Sequence, residues 1–274
     1  MERGFKFSKS MGQNFLVDKN IPVKIVKGSG IDDSCGVLEV GPGLGALTVE
    51  LCKSAEHVTV VELDTRLIPM LNDLFTEHNN ISIVQGDILK IDIKQLVNDT
   101  MPSLSYHVCA NLPYNITTPV ITALIETDVF ESITVMVQRE VALRICARPG
   151  SQDYGAFTVF ANFYTEPEIL FDVSPACFNP RPKVTSSVVK MKIRNERILS
   201  GEDERIFFRV VRAAFGQRRK TLINALYAVF ENTYSKAEIS GAVESCGFDK
   251  NIRGEVLSID DFIKLSAFFN DTAL

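Results

Sequence analysis

The chain has 274 residues, is 46% hydrophobic and 23% charged, and carries a formal net charge of −5. That balance excludes a disordered or fibrous chain and predicts one large domain, or a medium and a small one. No apolar run approaches the ~20 residues a bilayer span needs, and Met1-Glu2-Arg3-Gly4-Phe5-Lys6 lacks the apolar stretch of a secretory signal.

In chain order, Val37-Leu38-Glu39-Val40 is a short apolar run ending in Gly41-Pro42-Gly43-Leu44-Gly45, and a helical pattern follows through Leu47, Leu51 and Cys52. Val58-Thr59-Val60-Val61 is the next strand, followed by a helix through Leu67, Leu71 and Leu74. Ile81-Ser82-Ile83-Val84, Tyr106-His107-Val108-Cys109-Ala110 and Ile133-Thr134-Val135-Met136-Val137 are the third, fourth and fifth strands. Short β-branched runs separated by helical patterns predict an α/β fold, a mostly parallel sheet with helices on both faces. Ala156 to Tyr164 is apolar at both periods and is read as helix. Glu168–Val173 and Ser187–Lys192 follow without a helix-length spacer and read as a terminal antiparallel pair. The sequence turns polar around Asn195 to Asp203, which places a boundary near 198. Beyond it Phe207, Val210, Val211, Ala214 and Phe215 fall at helical spacing, and Ile239, Val243, Ile259, Phe262, Ile263 and Leu265 suggest further helices. Two domains are expected, 1–198 and a small all-helical 199–274.

Cysteines and charge add two constraints. Six cysteines, from Cys35 to Cys246, include no Cys-x-x-Cys pair, which argues against zinc and disulfide scaffolds and for reduced thiols in a cytoplasmic protein. Between Arg181 and Lys220 twelve Lys/Arg face four Asp/Glu, a local +8, while the rest of the chain carries −13. Such segregation fits either a footprint for phosphates or a solvated helix face.

Three strand ends carry candidate ligand chemistry. The glycine-rich turn lies where doubly wound sheets bind ligands, although Gly41-x-Gly43-x-Gly45 differs from the dinucleotide spacing. Glu62, about 20 residues on, is placed either to accept from two ribose hydroxyls or to cap the next helix. Asp87, in Gly86-Asp87-Ile88, could accept from the exocyclic amine of an adenine. Together the three predict an adenosine pocket. The fourth strand ends in Asn111-Leu112-Pro113-Tyr114-Asn115-Ile116. Pro113 withholds an N–H and fixes φ, so the preceding carbonyls can face a ligand, and Tyr114 offers a flat face for a base. The alternative is an ordinary strand-to-helix turn with an N-terminal proline. His57, His78 and His107 sit in or beside strands or a helix end, and no Ser/His/Asp relay is evident.

Asn111-Leu112-Pro113-Tyr114 resembles the signature of S-adenosylmethionine-dependent adenine N6-methyltransferases. Lys9-Ser10-Met11-Gly12-Gln13-Asn14-Phe15-Leu16 and Phe178-Asn179-Pro180-Arg181-Pro182-Lys183-Val184 are similar to segments of the ribosomal RNA adenine dimethyltransferase family, and the similarity runs from Phe7 to about Phe268. Phe215-Gly216-Gln217-Arg218-Arg219-Lys220-Thr221-Leu222, with Arg253-Gly254-Glu255-Val256-Leu257-Ser258, resembles the bacterial small-subunit branch. That branch dimethylates two adjacent adenosines in the 3′-terminal hairpin of 16S rRNA. Related large-subunit enzymes of the macrolide-resistance type share the first domain, so the Arg-Arg-Lys segment decides between them.

The resemblance implies a Rossmann-like, seven-stranded methyltransferase sheet with its last strands antiparallel, S-adenosylmethionine as donor, and no metal. It implies a cofactor set of Gln13, Asn14, Leu16, Gly41, Gly43, Glu62, Leu63, Asp87, Ile88 and Asn111. Asn14 and Leu16 would close over the donor and Gly41 would lie against it, Glu62 would hold its ribose and Asp87 its adenine, and Asn111 would face both donor and target. On the catalytic side, the Asn111 side-chain oxygen and the Leu112 carbonyl are expected to accept from the target amine at the Pro113 bend. Tyr114 and Phe178 are expected to stack on the extruded base, one from each side, the alternative for Phe178 being a buried place in the core. Phosphate contacts are expected from Arg181, Lys183, Arg212, Arg218, Arg219 and Lys220, the alternative for some of the arginines being to cap helix ends. The implied partner is 16S rRNA within the immature 30S subunit, bound by a monomer without membrane attachment. Relatives often have a longer arm before Gly12-Gln13-Asn14-Phe15, so part of an RNA-contacting flap is in question. Rival readings are a 23S rRNA methyltransferase, a non-catalytic checkpoint factor in subunit assembly and, disfavoured by its glycine spacing, a nicotinamide dehydrogenase.

Overall fold

The computed structural model describes residues 14–217 and 219–269. β1 (Phe15–Leu16) and α1 (Asn20–Ser29) come first. Strands and helices then alternate through β2 (Cys35–Val40), α2 (Ala46–Ser54), β3 (His57–Glu62), α3 (Ile68–Leu74), β4 (Ile81–Gln85), α4 (Ile93–Thr100), β5 (Ser105–Asn111), α5 (Thr117–Glu126) and β6 (Ser132–Gln138). α6 (Arg139–Ile145) and α7 (Ala156–Tyr164) precede β7 (Thr165–Val173), the two-residue β8 (Phe178–Asn179) and β9 (Ser186–Ile193). The remaining helices are α8 (Gly201–Gly216), α9 (Leu222–Phe230), α10 (Lys236–Ser245) and α11 (Ile259–Ala267).

Seven strands form one sheet in the order β4-β3-β2-β5-β6-β9-β7. β4, β3, β2, β5 and β6 are parallel, and β9 runs antiparallel to β6, from Ser132↔Lys192 to Gln138↔Ser186. β7 and β9 are neighbours, as their closeness in sequence predicts. The central strands read as continuous apolar runs because helices cover both faces: Val37, Leu38, Val58, Val60, Val108, Cys109, Ile133 and Val135 are completely buried. The chain builds outward from β2 through β3 to β4, then crosses back to β5 on the other side of β2. That reversal opens a crevice at the carboxyl ends of β2 and β5.

The chain divides into two compact units. One comprises the described residues up to Ala142 together with Glu166–Ile193; the other comprises Leu143–Thr165 and the described residues from Arg194 onward. The helical unit therefore starts a few residues earlier than 198 and also takes in α7, which the sequence boundary assigned to the sheet. The reason is aromatic packing. Phe163 lies 4.8 Å from Phe207 and 5.0 Å from Phe208, and Tyr154 donates from its hydroxyl to the Leu257 carbonyl at 2.7 Å. Val159 and Phe163 share one buried cluster with Phe207, Val211, Leu226 and Phe262.

Candidate functional site

The glycine turn after β2 is shaped by backbone conformation before any ligand is considered. Gly43 has φ +59°, a region L side chains rarely adopt, and a Cβ there would sit 3.0 Å from the Phe15 ring. The turn then feeds straight into α2. β3 ends in Glu62, whose carboxylate is 5% exposed. It accepts from the Asp64 backbone N–H at 2.8 Å and from the Gly43 N–H at 3.3 Å. Glu62 thus ties its own strand end to the glycine turn and does not cap α3. Burial raises its pKa against the pull of those two donors. Asp64 is engaged by Arg66 through two contacts of 2.8 and 2.6 Å, so of the two acids at this strand end Glu62 is the one that lines the crevice. Beyond β4, Asp87 accepts from the Leu89 N–H at 3.1 Å and faces Lys90 at 3.5 Å.

The bend after β5 has selectively satisfied carbonyls. Ile116 N–H and Thr117 Oγ1 donate to the Pro113 carbonyl at 3.2 and 3.1 Å, and Thr117 Oγ1 also reaches the Tyr114 carbonyl at 3.4 Å. Leu112 N–H donates to the Met136 carbonyl at 3.1 Å, while the Leu112 carbonyl accepts no hydrogen bond among the described residues. Asn111 Nδ2 donates to the Asn14 carbonyl at 3.5 Å, which leaves its Oδ1 as an acceptor. The Tyr114 hydroxyl lies 2.8 Å from Ser186 Oγ on β9, so the ring is held at both ends; burial raises its pKa.

These strand ends share one cavity of about 240 Å³. Asn14, Leu16, Gly41, Gly43, Glu62, Leu63, Asp87, Ile88, Asn111, Leu112, Pro113 and Tyr114 all line it. Leu63 is 52% exposed, an apolar surface that a planar ring would cover. Gln13 and Arg218 lie outside the described residues. Arg181 and Lys183 are exposed between β8 and β9; Arg212 on α8 and Arg219 and Lys220 after it are exposed in the helical unit. One expected residue is not brought to the cavity wall. Phe178 is 2% exposed and packs in the core of the sheet unit, because β8 pairs with β1 in the register Leu16↔Phe178 and turns the ring inward. Of the two rings expected to stack on the base, Tyr114 lines the cavity and Phe178 does not.

Sequence reasoning missed Glu39. It lies near the end of β2, is 1% exposed, lines the cavity and accepts from Thr48 Oγ1 at 2.6 Å. Burial pushes its pKa up to about 8, the Thr48 bond opposing and the Glu62 charge adding. A carboxyl inside a strand buried on both faces is costly, so the run Val37-Leu38-Glu39-Val40 carried the signal. Phe15, beneath Gly43, and Ser186, behind Tyr114, were also missed; neither residue type stands out in a sequence.

The cradle fits an adenosine-bearing methyl donor: backbone at Gly43 where a Cβ would collide, a buried carboxylate at Glu62, and an acid and apolar side chains at the next strand end. Comparison with known proteins gives the same direction. The family described as ribosomal RNA adenine dimethylase matches residues 4–271. A ribosomal RNA small subunit methyltransferase A from Shouchella clausii is 44% identical over 97% of this chain and 90% of its own length. Among solved structures, a dimethyladenosine transferase from Plasmodium falciparum superposes with a TM-score of 0.80 at 28% identity, covering 95% of this chain and 98% of that one. The 23S rRNA methyltransferase ErmE superposes with 0.72 at 26% identity, covering 93% and 99%. With a family match over nearly all its length and a curated relative this similar, the chain belongs to the ribosomal RNA adenine dimethylase family.

Proposed function

We propose that this chain transfers methyl groups from S-adenosylmethionine to the N6 amine of two adjacent adenosines in the 3′-terminal hairpin of 16S rRNA, giving N6,N6-dimethyladenosine. The substrate in this reading is the immature 30S subunit, and the enzyme acts as a cytoplasmic monomer. One observation carries it: the Asn111–Tyr114 bend, with a free carbonyl at Leu112, walls the same cavity as the glycine turn, Glu62 and Asp87. The choice of 16S over 23S rRNA rests on the small-subunit relative's 44% identity against 26% for ErmE.

When bound, S-adenosylmethionine supplies a methyl group on a positively charged sulfur. The Gly41–Gly43 backbone and Phe15 would hold its sugar and amino-acid portion, Glu62 would accept from the ribose hydroxyls, and Asp87 with Leu63 and Ile88 would take the adenine edge and faces. The exocyclic amine of the target adenine is a weak nucleophile, because its lone pair is delocalised into the ring. Asn111 Oδ1 and the Leu112 carbonyl accept its two hydrogens and favour a pyramidal nitrogen. As positive charge develops there, the two oxygens stabilise it more than they stabilise the ground state. Tyr114 stacks on the extruded base, with its ring held by Ser186. Alignment, and not proton abstraction by a strong base, is the main contribution; the carbon–sulfur bond breaks as the carbon–nitrogen bond forms, S-adenosylhomocysteine would leave, and the methylated nitrogen then loses its proton to water.

The test is incubation of purified protein with labelled S-adenosylmethionine and unmodified 30S subunits, followed by nucleoside analysis. Label in N6,N6-dimethyladenosine from 16S rRNA is expected. Label only in 23S rRNA, or none in either, overturns the reading.

A further inference from the structure

The helical unit contains a second cavity, of about 510 Å³, that the reaction at the sheet does not use. Its rim is the outer face of α8, where Arg205, Arg209 and Arg212 recur at four- and three-residue spacing and therefore stand above one another. Its inner wall is Ile206, Phe230, Thr233, Tyr234 and Phe269. The opposite face of α8 buries Phe207, Val210, Val211 and Ala214 in the unit's core, so the arginines are not required for packing there.

We propose that this arginine-rimmed cavity, in which Arg205 and Arg209 join the already expected Arg212, is a binding site for the phosphodiester backbone of RNA, separate from the Arg219-Lys220 segment. The inference rests on the reading of the chain as an rRNA methyltransferase and adds an anchor to it. Three features carry it. The first is charge: three guanidiniums meet one rim carboxylate, Glu202, which Arg205 takes through its Nε at 2.8 Å. Arg209 and Arg212 form no ion pair among the described residues. Like charges at this spacing repel one another along a helix face, a repulsion that an incoming anion relieves. The second is pre-organisation. The Arg209 guanidinium lies 4.5 Å from the centre of the Phe230 ring and is held there by the ring face. The third separates backbone from base. Phe230, Tyr234 and Phe269 are all at most 6% exposed, so they present a closed wall and no ring face on which a base could stack. A planar guanidinium fork against such a wall suits the two free oxygens of a phosphodiester, a contact that positions RNA without reading its sequence.

The experiment measures binding of the full chain to a transcript of the 16S rRNA 3′ domain and to unmodified 30S subunits across a series of KCl concentrations, without methyl donor. The variants are Arg209→Gln/Arg212→Gln and Arg209→Lys/Arg212→Lys. The Gln variant should bind the transcript at least ~10-fold more weakly near 0.1 M salt, and its plot of log affinity against log salt should be shallower by about 1.5–2. The Lys variant should keep most of the slope. An unchanged slope in the Gln variant, or an equal loss in both variants, overturns the proposal, the second outcome assigning the arginines to packing on Phe230. Loss confined to the 30S subunit, with transcript binding intact, also overturns it and points to an acidic ribosomal protein. Because binding is read without transfer, failure here leaves the methylation reading standing. Normal slopes with no methylation would sink that reading instead.

Discussion

At the scale of single residues, two side chains that line the cavity, Asn111 and Glu39, have opposite legibility. Asn111 announced itself, because an amide followed by Leu-Pro-Tyr at a strand end has few structural uses. Replacing it by Ala should lower kcat by on the order of 10²–10³, as loss of a charge-stabilising group does, with a much smaller change in RNA affinity. Equal losses in turnover and binding would take Asn111 out of the chemistry. Glu39 stayed hidden, since burial is invisible until the sheet's two covered faces are known. Its acid, raised from 4.5 to about 8, gives a signed pH prediction. Folding favours the protonated form, so its contribution is complete below about pH 4.5 and is lost as pH rises through 8. Glu39→Gln keeps an acceptor for Thr48 but never ionises. The stability of the ligand-free variant relative to the parent should therefore grow between pH 5 and 9, by on the order of a few kcal/mol. Urea unfolding at a series of pH values reads this, and a flat difference would mean that Glu39 ionises normally.

At the scale of elements, the parallel strands were readable because a strand covered on both faces must be apolar throughout. The expected runs fall within β2 to β6, missing only one or two terminal residues. β1 and β8 escaped because two residues carry no period, and Phe178 was misplaced for that reason: its environment is set by pairing with Leu16, not by the Asn-Pro-Arg-Pro run after it. α7 was read as helix, but its partnership with α8 depends on which rings meet, which no periodicity encodes. The glycine turn also belongs to this scale. Gly43→Ala would require a positive φ from alanine and push a methyl into Phe15, costing more than ~1 kcal/mol in stability. S-adenosylmethionine affinity, read by calorimetry, should fall by at least ~10-fold; unchanged affinity would remove the turn from the cofactor cradle.

At the scale of the whole molecule, a chain of net charge −5 holds a +8 segment between Arg181 and Lys220. The segment splits between the two units: Arg181 and Lys183 lie with the sheet, and the α8 arginines with the helices. Charge reversal at Arg219→Glu/Lys220→Glu should weaken 30S binding steeply and flatten its salt dependence by about 2 per pair of phosphates lost, while leaving S-adenosylmethionine affinity at the parental value. An unaltered salt slope would show those two residues to be solvated bystanders. Composition revealed the segregation; that part of it rims a walled cavity emerged only when Phe230 and Phe269 were placed.

The contact from Asn111 Nδ2 to Asn14 has a consequence for how the site is kept armed. A carboxamide is a two-ended rotor, and half a revolution would set oxygen against oxygen at Asn14 while turning a donor toward the incoming purine. In the reading proposed above, the Asn14 carbonyl would bias the rotor, as a light pawl does, toward the sense that welcomes an amine.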